Sequence, residues 1–201
     1  MKHLTEALEN SYSYSEYRGL VAELLSQNKS TTIDGPESLV EYSKLNNSRM
    51  KRLDKTTQVP AEIEKEIRAI TEPTTWTVLS EGWCGDAAQN LPAINKMAEL
   101  NPLISLRIVL RDKNLDLMNE YLTNGGQSIP KLIQSNNNEV TGTWGPRPTV
   151  ATNMVKAYKE KYGTLDAEFK KDLQIWYNKD KNQSLFSDFL NLLNANHSIE
   201  A

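Results

Sequence analysis

The sequence reads as an α/β protein, a mixed central sheet flanked by helices with extra helices at both ends. Two observations lead there. From about residue 73 the chain alternates β-branched or apolar strand segments with helical ones, the pattern of a βαβ unit continued by a hairpin. Before that point, and again after Pro148, apolar residues recur at helical spacing only. The expected organisation is a helical extension over 1–72, an α/β core over 73–162, and C-terminal helices over 163–201 packed on the same domain. A chain of 201 residues buries roughly two-thirds of its unfolded surface, so a self-sufficient core is expected.

Taken in order, Tyr14, Tyr17, Leu20, Val21, Leu24 and Leu25 form the first apolar helical stripe. Leu39, Tyr42, Leu45, Met50 and Leu53 form a weaker second one, entered through Asp34-Gly35-Pro36-Glu37, which joins turn residues to a helix-starting proline. Pro60 opens a third helix with Ile63, Ile67 and Ile70 on one face, and Thr71-Glu72-Pro73 ends it. These stripes read as faces packed into a core. TTWTVLS and LISLRIVL are the strands of the βαβ unit, and the segment between them is rich in alanine and leucine. NLDLMNEYL is a further helix, followed by Gly125-Gly126 and two strands, KLIQS and EVTGTW, joined by the turn residues Asn136-Asn137-Asn138. Three helical patterns close the chain: Val150, Met154 and Tyr158; Leu165, Phe169, Leu173 and Trp176; and Leu185, Phe186, Phe189, Leu190 and Leu193.

Composition removes several classes of function. Acidic residues outnumber basic ones and the net charge is -3, which gives no footprint for nucleic acid or an anionic membrane. No run approaches the roughly 18 apolar residues of a membrane span, and the opening MKHLTEALEN is charged where a signal peptide is apolar. A cytoplasmic protein is expected. One cysteine excludes an internal disulfide, and His3 and His197 near the ends leave no Cys/His spacing for a metal. Neither a metal nor a resident cofactor is expected.

The stretch GWCGDAAQ, residues 82 to 89, holds that cysteine between the first strand and the next helix. Unpaired N–H groups at a helix N-terminus favour an anion, so a thiol there ionises more readily. Asp86, two residues on, opposes a thiolate by its charge. A lone cysteine is otherwise a small core hydrophobe, but the junction beside Trp83 favours a reactive or ligand-facing thiol.

Trp83-Cys84-Gly85-Asp86-Ala87 resembles the Trp-Cys-Gly-Pro-Cys of the thioredoxin family with the second cysteine replaced by alanine. Pro92, eight residues beyond Cys84, is similar to the proline that kinks the family's active-site helix. Ile129-Pro130, opening the next strand, resembles the family's cis-proline pair that faces the thiol. Trp144-Gly145-Pro146-Arg147-Pro148 looks like a motif of a bacterial branch with added N-terminal helices. Together these imply a thioredoxin-like fold for the middle half of the chain.

The resemblance also shows what the chemistry lacks. The family's second thiol resolves the mixed disulfide, and Ala87 has no sulfur; the buried aspartate six residues before the first cysteine is Val78 here. Dithiol turnover is excluded. What the resemblance implies instead is monothiol exchange or deglutathionylation, with Cys84 as the catalytic nucleophile and an external low-molecular-weight thiol as resolver. Trp83, Gly85, Asp86, Ile129 and Pro130 would then bind the substrate, a protein disulfide or an extended peptide segment paired along the Ile129 backbone. The alternative is a catalytically inactive binding module that keeps this cleft for recognition. A third is a scaffold whose added helices occlude the cleft. Peroxiredoxin chemistry needs a proline and a threonine where Thr77 and Glu81 stand, so it is not expected.

Arg147, between two prolines, is suited to present a guanidinium to a carboxylate or a helix C-terminus, with Trp144 as a further supporting residue. Arg111-Asp112 reads as a surface ion pair, and Gly125-Gly126 lacks the lysine and hydroxyl of a phosphate loop.

Overall fold

The structure, a computed structural model, describes residues 1–137 and 139–197. The chain runs α1 (Lys2–Glu9), α2 (Tyr14–Ser26), α3 (Glu37–Thr56), α4 (Ala61–Arg68), β1 (Thr74–Ser80), α5 (Gly85–Ala98) and β2 (Ile104–Leu110). A 3-10 turn (Arg111–Lys113) follows, then α6 (Leu115–Glu120), β3 (Lys131–Asn136), β4 (Glu139–Trp144), α7 (Thr149–Tyr162), α8 (Ala167–Asp180) and α9 (Gln183–His197). Of the turn between β3 and β4, Asn138 lies outside the described residues.

The strands form one mixed sheet in the order β2-β1-β3-β4, flanked by helices that precede, interrupt and follow it. β1 runs parallel to β2, with Val78 opposite Ile108, and antiparallel to β3, with Val78 opposite Leu132. β4 is antiparallel to β3, with a bulge at Gln134/Ser135. Trp76, Val78 and Leu79 of β1 are fully buried, which is why this strand is a nearly unbroken run of β-branched and apolar residues. The outer edge of β2 is partly covered by the chain itself. Tyr12 exchanges backbone hydrogen bonds with Ile108 at 2.8 and 2.7 Å, and the Arg107 guanidinium donates to the Ser11 carbonyl at 2.8 Å.

One apolar cluster joins Leu4 of α1, Tyr17 of α2, Met50 of α3, Ile67 of α4, the sheet, α5, and Phe186 and Phe189 of α9. Trp76 lies within it, edge-on to Phe189 at 5.3 Å, its indole N–H donating to Gln134 at 2.9 Å. A smaller, separate cluster holds Ala151 and Val155 of α7 against Phe169, Leu173 and Tyr177 of α8.

Three helical faces differ from their sequence reading. On α3, Tyr42 and Leu45 are more than half exposed, and the buried face is Val40, Ser43, Asn46 and Met50. That face can be polar because Asn46 donates to the Gly82 carbonyl at 3.1 Å and Ser43 to the Leu39 carbonyl at 2.7 Å. On α7, Val150 is exposed and Ala151 is buried, since a small residue lets α8 approach. On α8, Tyr177 is buried rather than Trp176, drawn in by its hydroxyl's partner on α5. The helix α1 is additional to the sequence reading, and Leu4 and Ala7 are its buried face. Among the described residues, no helix is long and apolar enough to cross a membrane.

Candidate functional site

β1 passes into α5 through Glu81, Gly82 and Trp83, and Cys84 caps the helix N-terminus. Its sulfur accepts the Ala87 N–H at 3.4 Å, and its S–H donates to the Ile129 carbonyl at 3.3 Å. The Ile129–Pro130 and Gly145–Pro146 peptide bonds are both cis. Gly145 has φ +110°, and a Cβ there would overlap the Pro130 carbonyl oxygen, so glycine is required for the chain after β4 to lie against Pro130. That close passage carries Arg147 to the first turn of α5.

There Arg147 Nη2 meets Asp86 Oδ2 at 2.7 Å, and the Tyr177 hydroxyl donates to Asp86 Oδ1 at 2.9 Å. One turn on, Asn90 donates to the Asp86 carbonyl at 2.8 Å and to the Tyr177 oxygen at 3.4 Å. Gln89 donates to Gln174 at 2.9 Å, and its carbonyl accepts from Asn182 at 2.9 Å. Gly85 sits where three helices meet: a Cβ on it would lie 3.5 Å from Gln174 Nε2 and 3.8 Å from Arg49 Nη1. Helix α8 therefore covers the start of α5.

On the other flank Glu81, fully buried, accepts from the Thr31 hydroxyl and from the Asp112 N–H at 3.0 Å. Thr31 in turn accepts the Gly82 N–H at 3.0 Å. Trp83 is half-buried; its indole N–H donates to Thr32 at 2.7 Å, and the Arg111 guanidinium stands 4.9 Å from its ring centre. Arg111 is also paired with Asp112 at 2.7 Å.

The electrostatics follow from burial. Loss of solvation, reinforced by the Asp86 charge, pushes the Cys84 thiol from 9.0 up to about 12. The Ala87 and Asp86 N–H groups and Arg147 pull the other way and are outweighed. Cys84 is 7% exposed, and with its thiol raised its S–H is placed as a donor to the Ile129 carbonyl. Burial also raises Asp86, against the pull of Arg147 and Tyr177, and it raises Tyr177 with help from the Asp86 charge. Burial raises Glu81 as well.

Trp83, Cys84, Gly85, Asp86, Ile129, Pro130 and Arg147 thus form one constellation. Trp144 stands apart from it: its indole N–H donates to Asp188 at 2.9 Å and its ring packs on Phe189. Asn46, Asn90, Gln174 and Tyr177 were not singled out from sequence. The one signal was for Asn90, a polar pair, Gln89-Asn90, set between Ala87-Ala88 and Leu91. Among the described residues, no group of three or more His, Cys, Asp or Glu side chains is placed to hold a metal ion.

The family model described as thioredoxin matches residues 33–159. A protein of unknown function from Pseudomonas aeruginosa has a similar solved structure, with TM-score 0.56 and 16% identity over 94% of this chain and 99% of that one. An HIV epitope-scaffold is similar with TM-score 0.55 and 17% identity, over 91% of this chain and 98% of its own. At such identities the likeness is one of fold. Among curated proteins, none matches the chain.

Proposed function

The chain belongs to the thioredoxin family, and on that premise we propose that it is a partner-binding module of that fold, with Cys84 held in reserve rather than turned over. The observation that carries this reading is the state of the thiol: buried, bonded to Ile129, and protonated at neutral pH. Ala87, 1% exposed, stands where the family has its resolving thiol, so no second sulfur can complete a cycle within the chain.

Trp83 supports the binding half of the proposal. Its ring is held from two sides, by Thr32 and Arg111, while part of it faces solvent. A pre-fixed aromatic surface loses little freedom on association, which suits it to anchor a partner. Ile33, next to Thr32 in the chain, is 74% exposed. The partner favoured by this face is a protein segment with an apolar side chain to lay on the indole.

A second reading, monothiol exchange, is favoured by the Ala87 and Asp86 N–H groups, which would stabilise a thiolate once one formed. In that reaction the Cys84 thiolate attacks a glutathionylated protein at the glutathione sulfur and releases the protein thiolate. A second glutathione-type thiol then attacks the Cys84 adduct, leaves as the small-molecule disulfide, and restores Cys84. The test is reduction of a glutathionylated peptide by glutathione at neutral pH, comparing the native chain with Cys84→Ser. Equal rates, both at the uncatalysed level, are expected; a rate that depends on Cys84 overturns the binding-module reading in favour of exchange.

A further inference from the structure

We propose that the α7–α8 pair is a cover, latched by polar contacts, whose displacement from the first turn of α5 admits solvent to Cys84. The proposal rests on the reading of Cys84 as a thiol held in reserve, and adds the element that keeps it so.

The distribution of apolar surface carries the argument. α8 turns Phe169, Leu173 and the ring of Tyr177 toward Ala151 and Val155 of α7, in a cluster separate from the main core. Toward α5 and α3 it presents hydrogen bonds: Tyr177 donates to Asp86, Gln174 accepts from Gln89, and Asn178 accepts from Arg52 at 2.7 Å, with Asn182 closing the seam beyond its end. Water replaces bonds of this kind at small net cost, whereas it does not replace an apolar contact.

The seam is also incompletely satisfied. Among the described residues, Asn90 Oδ1 and Arg147 Nε are buried with no hydrogen-bond partner. Asn90 is fully buried, so its oxygen is desolvated without compensation in the closed arrangement and gains water on opening. Solvent already undercuts the latch. A cleft of about 630 Å³, lined by Arg52, Thr57, Pro60, Tyr177 and Asn182, reaches Tyr177 from the α3 side. The pair is bounded by turns with left-handed backbone, Gly145 at φ 110° before α7 and Lys181-Asn182 at 51° and 64° after α8, while Gly163 at φ 78° joins α7 to α8 within it. Such a pair can swing about the start of α7, where the Thr149 N–H is held by Asp188 of α9, because its own apolar contacts travel with it.

The experiment measures iodoacetamide labelling of Cys84 in the folded protein at pH 8, in the native chain, Tyr177→Phe and Ile63→Val. Tyr177→Phe keeps the ring against α7 and removes the hydroxyl's two latch bonds, to Asp86 and from Asn90; Ile63→Val trims the main cluster, which is separate from that of α7 and α8. Labelling about five- to tenfold faster in Tyr177→Phe than in Ile63→Val supports the cover. Equal rates in the two variants overturn it while leaving the reserved thiol intact. Native Cys84 labelling as fast as in denaturant overturns the reserved thiol itself, and the cover with it. Hydrogen exchange of the native chain is the second measurement: α8 amides exchanging well before those of β1 are expected, and joint exchange with β1 contradicts the proposal.

Discussion

The two flanks of the α5 N-terminus are built from different materials. On one flank Cys84, Ala87 and Ile129 belong to the main apolar cluster, and the thiol's hydrogen bonds among the described residues are with backbone. On the other, Asp86, Gln89 and Asn90 meet Gln174, Tyr177, Asn182 and Arg147 through side-chain hydrogen bonds and one ion pair. Burial raises both groups; backbone N–H groups and Arg147 oppose it at the thiol, and the Arg147 and Tyr177 side chains oppose it at the carboxylate. Substitutions on the first flank should register as stability, and those on the second as charge, access and pH dependence.

The largest effect is expected where the core supports the thiol flank. Trp76→Ala removes a fully buried ring and its bond to Gln134, and should cost about 3–5 kcal/mol in denaturant unfolding. A loss under about 1 kcal/mol would mean that this flank is not held by packing.

Next comes Arg147→Met, which strands the Asp86 carboxylate and should cost roughly 2–3 kcal/mol at pH 7. Burial already raises Asp86, and without Arg147 it rises further. A carboxyl raised on folding stabilises the fold most below its unfolded value near 3.8, and that contribution is lost as pH climbs through the folded value. The deficit of Arg147→Met should therefore shrink as pH falls from 7 toward 4. A deficit independent of pH would show that Asp86 is solvated and that the seam is not closed.

Tyr177→Phe should cost about 1–2 kcal/mol, since it removes the hydroxyl's bonds to Asp86 and from Asn90 and leaves the α7 contact in place. Asp86→Asn is read in the thiol rather than in stability. The Asp86 charge is one of the causes that raise Cys84, so the thiol midpoint should move down from about 12 while the fold persists. A midpoint that stays or rises would mean that desolvation alone governs the thiol.

The same contrast decides what was legible in the sequence. β1 lies in the main core and is buried over nearly all its length, and that burial writes itself as a near-continuous run of β-branched and apolar residues. Trp83-Cys84-Gly85-Asp86 is local, and Ile129-Pro130 carries its own marker, so both were visible before any coordinates. Arg147 was visible as a guanidinium in search of a carboxylate, though not which one. The seam was not legible. Gln174, Tyr177 and Asn90 make a face only by meeting one another, and a hydrogen-bonded face has no hydrophobic period. α3 misled for the same reason, because its inward residues Ser43 and Asn46 are polar while Tyr42 and Leu45 face water. Nor was the direction of the thiol's shift accessible, since the helix N-terminus is a local feature and burial is a tertiary one.

The titration of Cys84 by iodoacetamide, folded and in denaturant, bears most directly on the thiol held in reserve. A thiol moved from 9.0 to about 12 has roughly a thousandfold less thiolate at pH 8, so labelling of the folded chain should be slower by about that factor or more. The folded rate should still be rising at pH 10, with no midpoint below that of the denatured chain. A folded midpoint under about 8.5, with labelling as fast as in denaturant, would contradict it and return Cys84 to the role of an exposed nucleophile.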